Sequence, residues 1–445
     1  MQIKVRSLFP YVVLVGVLLR LGFVLGANPN DLTFHSGGSD APAYVLLATN
    51  LRTGAGLSYG ALPSAFRPPG YPVMIAGFMS LFGGKYISAI RWVQFVIGLL
   101  TIAVSALVAR RLFDARTAKA SFMLGLFLPT LIFTTAQVLT ECIAALLIAL
   151  YFHALVIQCE RADAKSACGM GVFAGLNSLF RFNAAALPIF SAWALLSMGR
   201  RRPLLLRMAC VLGLPVLIAM PWFIRNEVVF HGEVLYSTHT GANAVQGVLT
   251  PQGRTQPGDS ERLLKGMGWT LSELETNDSS RLSLGPEVEL NKNALAVVPR
   301  LWKAERWHAI PLLGGKIADF WLSTDQLISV RSFALRERAL RLAGVGAQWV
   351  ILALATVGWF ALRKLRPAVA NFFLVYAVGY TILHLPLVMS TRLRIPLMEP
   401  LQVILAGAGL VQVCQLWPKS LPTDLPSQTE KEGHVLESIG TLNER

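Results

Sequence analysis

Charge is scarce in this chain. Only 15% of its 445 residues are charged, against 54% that are hydrophobic, and the mean hydropathy is +0.53. A soluble globular domain carries about a quarter charged residues, so that class is excluded. Acids are scarcer still than bases, 25 against 40, for a net charge of +15. In a chain this apolar the excess reads as Lys and Arg in cytoplasmic loops, not as a nucleic-acid surface. Cysteine is sparse too. Cys142, Cys159, Cys168, Cys210 and Cys414 all lie in or beside apolar runs. There is no CxxC and no Cys/His cluster, which argues against a disulfide framework or a zinc site. The first apolar run, Phe9 to Ala27, follows Lys4 and Arg6 and lacks a small-x-small cleavage site, so it reads as a retained signal anchor. No internal repeat is visible.

What the chain does have is apolar runs of the ~20 residues needed to cross ~30 Å of hydrocarbon. The expected fold class is an all-α polytopic membrane protein. The basic clusters set its topology. Lys4 and Arg6 precede the first span; Arg110, Arg111, Arg116 and Lys119, then Arg161 and Lys165, then Arg200 to Arg202 with Arg207, then Arg363, Lys364 and Arg366 follow later ones. Putting all of them in the cytoplasm requires two short helices in 166–199, turning at Arg181-Phe182-Asn183. About ten spans result: Phe9–Ala27, Tyr86–Val108, Ala120–Thr135, Thr140–Ile157, Cys168–Phe180, Ala184–Met198, Leu204–Phe223, Val345–Leu362, Ala368–Val388 and Ile395–Gln415. The N-terminus is then cytoplasmic. Residues 1–225 form an N-terminal membrane module with a first external loop at 28–85, and 226–341 a small external segment. Residues 342–416 form C-terminal spans, and 417–445 a polar, disordered cytoplasmic tail. The first loop should hold two helices: one opened by Ser39 or Asp40 with Pro42 in its first turn, the other running from Val73 to Phe82 along the interface. The external segment should end in an amphipathic basic stretch from Val330 to Arg341.

This topology puts Asp40, Arg67, Arg91, Glu141, Arg181, Arg225, Arg392, Arg394 and Glu399 on the outer face, beside apolar spans. Charge there marks a functional site by default. Arginines converging from distant segments fit an anionic ligand such as a lipid phosphate. The bland alternative for each is a snorkelling anchor. Asp40 and Tyr44 are spaced to share a helix face, and an ionised carboxylate beside a hydroxyl is a competent general base. The bland alternative for Asp40, and for Glu141 in Thr140-Glu141-Cys142, is helix capping. His35, His231, His239, His308 and His384 show no ligand spacing and read as non-catalytic.

Four patches carry a resemblance to a known family. They are Ser39-Asp40 through Tyr44 with Asn50-Leu51-Arg52-Thr53-Gly54; Arg67-Pro68-Pro69-Gly70-Tyr71-Pro72; Pro221-Trp222-Phe223-Ile224-Arg225-Asn226; and Arg394-Ile395-Pro396-Leu397-Met398-Glu399-Pro400. The chain resembles the GT-C glycosyltransferases, nearest the family 39-like group of protein O-mannosyltransferases and the lipid A aminoarabinose transferase. The resemblance implies transfer of a hexosyl or pentosyl unit from a polyprenyl-phosphate donor to a lipid, glycan or protein acceptor, outside the bacterial inner membrane. It implies Asp40 as base and Glu141 as a second active-site acid. Tyr44, Arg67, Tyr71, Arg181, Arg225, Asn226, Arg392 and Arg394 become the substrate-binding candidates. Some relatives have an adjacent Asp-Glu pair where this chain has Asp40 alone. Asp40 and Glu141 are the candidate ligands should a divalent metal take part, and no other cofactor is implied. A single base without a neighbouring nucleophilic carboxylate argues for inversion, by analogy with glycoside hydrolysis. The competing class is a transporter or flippase for lipid-linked substrates. It would share the spans and charges, but it usually shows repeated halves, and none is visible here.

Overall fold

A computed structural model describes residues 8–28, 31–32, 40–59, 62–197, 204–249, 286–304, 306–323, 334–389 and 391–416. The predicted tail, the Arg200 to Arg202 cluster, the Gly38-Ser39 start of the first motif and residues 330–333 of the predicted basic stretch lie outside them. Helices account for nearly all of the described chain. They are α1 (Phe9–Gly26), α2 (Ala41–Arg52), α3 (Gly70–Phe82), α4 (Tyr86–Leu112), α5 (Ala115–Phe127), α6 (Pro129–Ala136), α7 (Glu141–Arg161), α8 (Ala164–Phe180), α9 (Leu187–Ser197), α10 (Leu204–Phe230), α11 (Thr240–Leu249), α12 (Pro286–Ala304), α13 (Arg306–Leu322), α14 (Ala334–Leu365), α15 (Pro367–His384) and α16 (Thr391–Leu416). A short antiparallel ribbon, β1 (Ser58–Tyr59) with β2 (Leu62–Pro63), lies between α2 and α3.

Each of the ten predicted spans corresponds to helix. Among the described residues, seven helical runs are long and apolar enough to cross a membrane alone, and the bent pair α5–α6 makes an eighth. The short helices α8 and α9 complete the set. They meet at a 3-10 turn over Phe182–Ala186, next to the predicted turn at Arg181. The protein is a multi-pass, all-α membrane protein. Helices α7 and α16 are the most enclosed. Around them Phe152, Phe190 and Tyr380 meet Tyr376 edge-on and Phe372 stacks on it, forming one aromatic core.

The two ends of the helix bundle differ in chemistry. One end carries Arg110, Arg111, Arg161, Lys165, Arg363, Lys364 and Arg366. Glu160 ties it together, accepting from Arg111 at 3.0 Å and Arg366 at 3.2 Å. Asp114 and Asp163 cap α5 and α8 there by accepting from the backbone N–H groups of Thr117 and Ser166. The opposite end gathers the starts of α2, α3, α7 and α16 and the end of α8.

Two local features position that second end. Gly70, at the start of α3, lies so close to the end of α8 that an added Cβ would sit 2.8 Å from the Leu179 carbonyl oxygen. Only glycine permits that approach. Helix α3 then turns back at Gly83 (φ 53°), and the Tyr71 hydroxyl donates to Gln94 of α4 at 2.9 Å. The predicted interfacial helix thus packs against the span that follows it.

Buried arginines make the broken helices tolerable. Pro129 cannot donate to the Gly125 carbonyl, and α5 and α6 bend there by 54°. Arg20 of α1, fully buried, supplies the missing donors. It gives hydrogen bonds to the carbonyls of Gly125 (2.7 Å), Leu126 (3.1 Å) and Leu131 (3.1 Å). Within a bilayer such carbonyls have no water to turn to. Arg20→Leu is expected to cost about 3 kcal/mol, at ~1 kcal/mol for each carbonyl left unpaired. The check is a thermal melt in detergent; a melting temperature unchanged from wild type would refute this role.

Candidate active site

Asp40 and Thr140 occupy the position before α2 and α7, where a side chain normally caps its own helix. Neither does so. The expected capping role of Asp40 is therefore not realised. Its carboxylate accepts instead from Arg67 at 2.7 Å and from Arg392 at 3.2 Å. Thr140 Oγ1 accepts from Arg181 at 3.0 Å. Glu141, almost fully buried, accepts at Oε1 from Arg392 Nε at 3.0 Å and pairs with Arg181 at 3.3 Å. Its Oε2 has no hydrogen-bond partner. Arg392 thus bridges the two acids.

The sequence explains how Arg181 and Arg392 meet. Pro396 in α16 has no N–H to donate to the Arg392 carbonyl, and that free carbonyl accepts from Arg181 Nη2 at 3.3 Å. Arg67 is held by aromatic faces, 5.0 Å from the ring centre of Phe66 and 5.8 Å from that of Tyr44. Tyr44 stacks edge-on against Tyr71 at 5.2 Å.

Of the predicted site residues, the structure brings together Asp40, Tyr44, Arg67, Glu141, Arg181 and Arg392. It places the others differently. Tyr71 is fully buried behind Tyr44, its hydroxyl engaged by Gln94. Arg225 donates to the carbonyls of Ser64 and Leu57 and to Asn226 Oδ1, with its guanidinium over Trp222 and Phe230. Asn226 holds the Leu235 carbonyl at 3.3 Å. Arg394 donates to the carbonyls of Phe320, Trp321 and Ser323 and pairs with Glu399, both side chains fully buried. Arg91 does the same for Asn28, Asp31 and Ala136. These arginines brace loop backbone, and none of them pairs with Asp40 or Glu141. Thr140 and Phe66 were not foreseen; only their adjacency to Glu141 and Arg67 pointed to them.

Three guanidiniums against two carboxylates leave a local charge of +1. That bears on the metal for which Asp40 and Glu141 were candidate ligands. Each carboxylate already holds two guanidiniums, and Arg392 stands between the two acids. A divalent cation would add charge to a site that is already positive. No group of His, Cys, Asp or Glu among the described residues completes a ligand set. The donor set does not fit a metal, and it does fit an anion.

Burial acts to raise the pKa of Asp40, but Arg392 and then Arg67 outweigh it and hold the carboxyl below its ordinary value. Burial, with help from Asp40 and Glu141, raises that of Tyr44 despite Arg67, so it stays a neutral hydroxyl.

Comparison with known proteins bears on the fold. Residues 66–224, well under half the chain, match the sequence model of a family described as dolichyl-phosphate-mannose-protein mannosyltransferase. No curated protein matches. Among solved structures, the archaeal oligosaccharyltransferase AglB from Archaeoglobus fulgidus, in complex with an inhibitory peptide and a dolichol-phosphate, superposes with a TM-score of 0.54 at 12% identity. That match covers 99% of this chain and 52% of the enzyme. The same organism's oligosaccharyltransferase tethered to an acceptor peptide gives 0.54 at 14% identity, covering 92% and 50%. ArnT from Cupriavidus metallidurans, bound to undecaprenyl phosphate, matches at 17% identity over 92% of this chain and 78% of that one, with a TM-score of 0.46. The chain spans about half the length of the oligosaccharyltransferases. At these identities the likeness establishes the fold: this is the GT-C arrangement of membrane helices found in membrane glycosyltransferases.

The lowered pKa of Asp40 sets a pH dependence. A depressed carboxyl stabilises the fold fully above the unfolded value of about 3.9 and loses that contribution as pH falls through the folded value. The stability difference between wild type and Asp40→Asn should therefore stay constant from about pH 8 to 5 and shrink only below about 4. Melting curves of both proteins across that range test this; a difference that titrates near neutrality would contradict the ion-pair assignment.

Proposed function

We propose that this protein transfers a sugar from a polyprenyl-phosphate donor to an acceptor on the external face of the bacterial inner membrane. The observation that carries the reading is the excess of one guanidinium over the two acids, at the bundle end opposite the basic loops. By the positive-inside rule, those loops face the cytoplasm and the site faces out. A glycosyl phosphodiester carries one negative charge, which matches the residual +1. Breaking its glycosidic bond leaves a phosphate with two. Guanidiniums already in place meet charge that builds only as the bond breaks, which is differential stabilisation of the transition state.

Asp40 is the proposed base. Its depressed pKa makes it weak toward a free hydroxyl. Proton transfer from the acceptor therefore comes late, once its oxygen has begun to bond the anomeric carbon and has turned acidic. Arrival of the donor phosphate also competes with Asp40 for Arg67 and Arg392, and a carboxylate relieved of one partner is the stronger base. Glu141, deeper and held by Arg181 and Arg392, anchors the arginines instead of meeting the acceptor. Direct attack of the acceptor at the anomeric carbon, with Asp40 acting as base and Glu141 tied up by Arg181 and Arg392, gives inversion.

Asp40→Asn should leave the protein folded, inserted and able to bind undecaprenyl phosphate, while transfer falls by about 10²- to 10⁴-fold. Near-wild-type transfer by that variant would sink Asp40 as base. The charge argument adds a second expectation. Transfer by the wild type should survive exhaustive chelation, and titrated Mn²⁺ should show no site of micromolar affinity by electron paramagnetic resonance; loss of activity with chelator, restored by metal, would overturn it.

A further inference from the structure

His239 sits in the short connection between α10 and α11, and everything around it is fixed except one atom. Thr238 donates its backbone N–H to the Ala65 carbonyl at 3.3 Å. The Thr238 hydroxyl and the Ala65 N–H both donate to Oε1 of Glu287 on α12. The His239 backbone is engaged on both sides: its N–H donates to Ser237 Oγ at 3.0 Å, and its carbonyl accepts from Asn243 at 3.1 Å. The imidazole stands edge-on to Phe66, with ring centres 4.1 Å apart, and Phe66 also carries the guanidinium of Arg67. Yet Nδ1 of His239 is closed off from solvent and has no hydrogen-bond partner. Buried ring nitrogens are seldom left unpaired, and an exception calls for a reason.

We propose that His239 is a further substrate-binding residue, its Nδ1 completing a hydrogen bond with a hydroxyl of the transferred sugar or of the acceptor beside Asp40. This rests on the transferase reading above. Asp40 and Arg67 both lie within electrostatic reach of the ring. Burial first, and then Arg67, push its pKa down to about 3 against the opposing pull of Asp40, so the ring is neutral at any physiological pH. A neutral imidazole can donate or accept, which suits a hydroxyl. It adds no fourth cation to the phosphate site. The phosphate therefore belongs to the arginines and the hydroxyl to His239.

The test uses the full chain in lipid nanodiscs. Three quantities are measured: affinity for undecaprenyl phosphate, affinity for its mannosyl and glucosyl forms, and the KM for the acceptor once transfer is assayed. His239→Phe keeps the ring against Phe66 and removes the nitrogen; a melting curve confirms that it folds. Its affinity for bare undecaprenyl phosphate should match wild type. Loss of a bond to a buried partner should then appear as a ~10- to 100-fold weaker affinity for the glycosylated lipid, if the hydroxyl is the sugar's, or an equal rise in acceptor KM, if it is the acceptor's. His239→Asn, whose amide can reach the Nδ1 position, should recover most of the loss. If His239→Phe leaves both quantities within twofold of wild type, the inference is overturned while the transferase reading stands. If wild type fails to bind undecaprenyl phosphate at all, the transferase reading fails and takes this one with it.

Discussion

The guanidinium of Arg392 between the carboxylates of Asp40 and Glu141 is the contact on which the site depends. Asp40 comes from the first loop, Glu141 from the start of α7 and Arg392 from the start of α16, so one side chain joins three distant parts of the chain. A buried ion pair is weak grounds for stability, because desolvation offsets much of the attraction. The network therefore asks for a functional explanation. Its imbalance supplies one: two acids would have been satisfied by two arginines, and the third leaves a standing preference for an anion. The unpartnered Oε2 of Glu141 fits the same picture of a site held short of full satisfaction.

The remaining arginines predicted for the outer face show why charge near a membrane cannot be read from position alone. Arg91, Arg225 and Arg394 look no different in sequence from Arg181 and Arg392. Each spends its donors on backbone carbonyls where a helix ends or a loop turns. The physical demand is the same one that Arg20 meets at Pro129: backbone oxygens freed from regular structure inside an apolar surround must find a donor, and the guanidinium offers five. Two selective pressures thus place arginine at the same depth. They separate only when partners are known: a bracing arginine gives most of its donors to carbonyls, as Arg394 does even with Glu399 beside it, whereas Arg67, Arg181 and Arg392 converge on Asp40 and Glu141.

This sets how much was legible in the sequence. The spans were readable because hydrophobic length is a direct physical requirement, and the turn at Arg181 followed from keeping basic clusters on one side. Asp40, Arg67 and Arg181 were identified by being out of place. Arg394 was grouped with Arg392 because both stand just before the last apolar run, on the side predicted to face out. Nothing in the sequence says that α13 ends where Arg394 can reach its carbonyls. Asp40 before Pro42 reads locally as a cap, and the tertiary pull of Arg67 and Arg392 overrides that preference. His239 was set aside for lack of spacing. Its significance lies in an atom without a partner, a property that spacing cannot express.

The helices α11 to α13 complete the logic of the site. They are few, yet they reach both loops that supply the arginines around Asp40. Glu287 of α12 binds the Ala65 N–H, two residues before Arg67. Lys316 of α13, fully buried, donates to the carbonyls of Gly247, Leu385 and Leu387, just ahead of Arg392. The end of α13 is tied to α16 a second time, where Thr391 and Arg394 both donate to the Ser323 carbonyl. Loops carrying long charged side chains lose their aim easily, and a carboxylate bridged by two guanidiniums tolerates little drift. Anchoring those loops from above with buried, multiply bonded groups costs desolvation but fixes the distances on which charge complementarity depends. A few helices are enough for that task, because they serve as a brace, and the charged groups that meet around Asp40 themselves come from α7, α16, the end of α8 and the loop before α3.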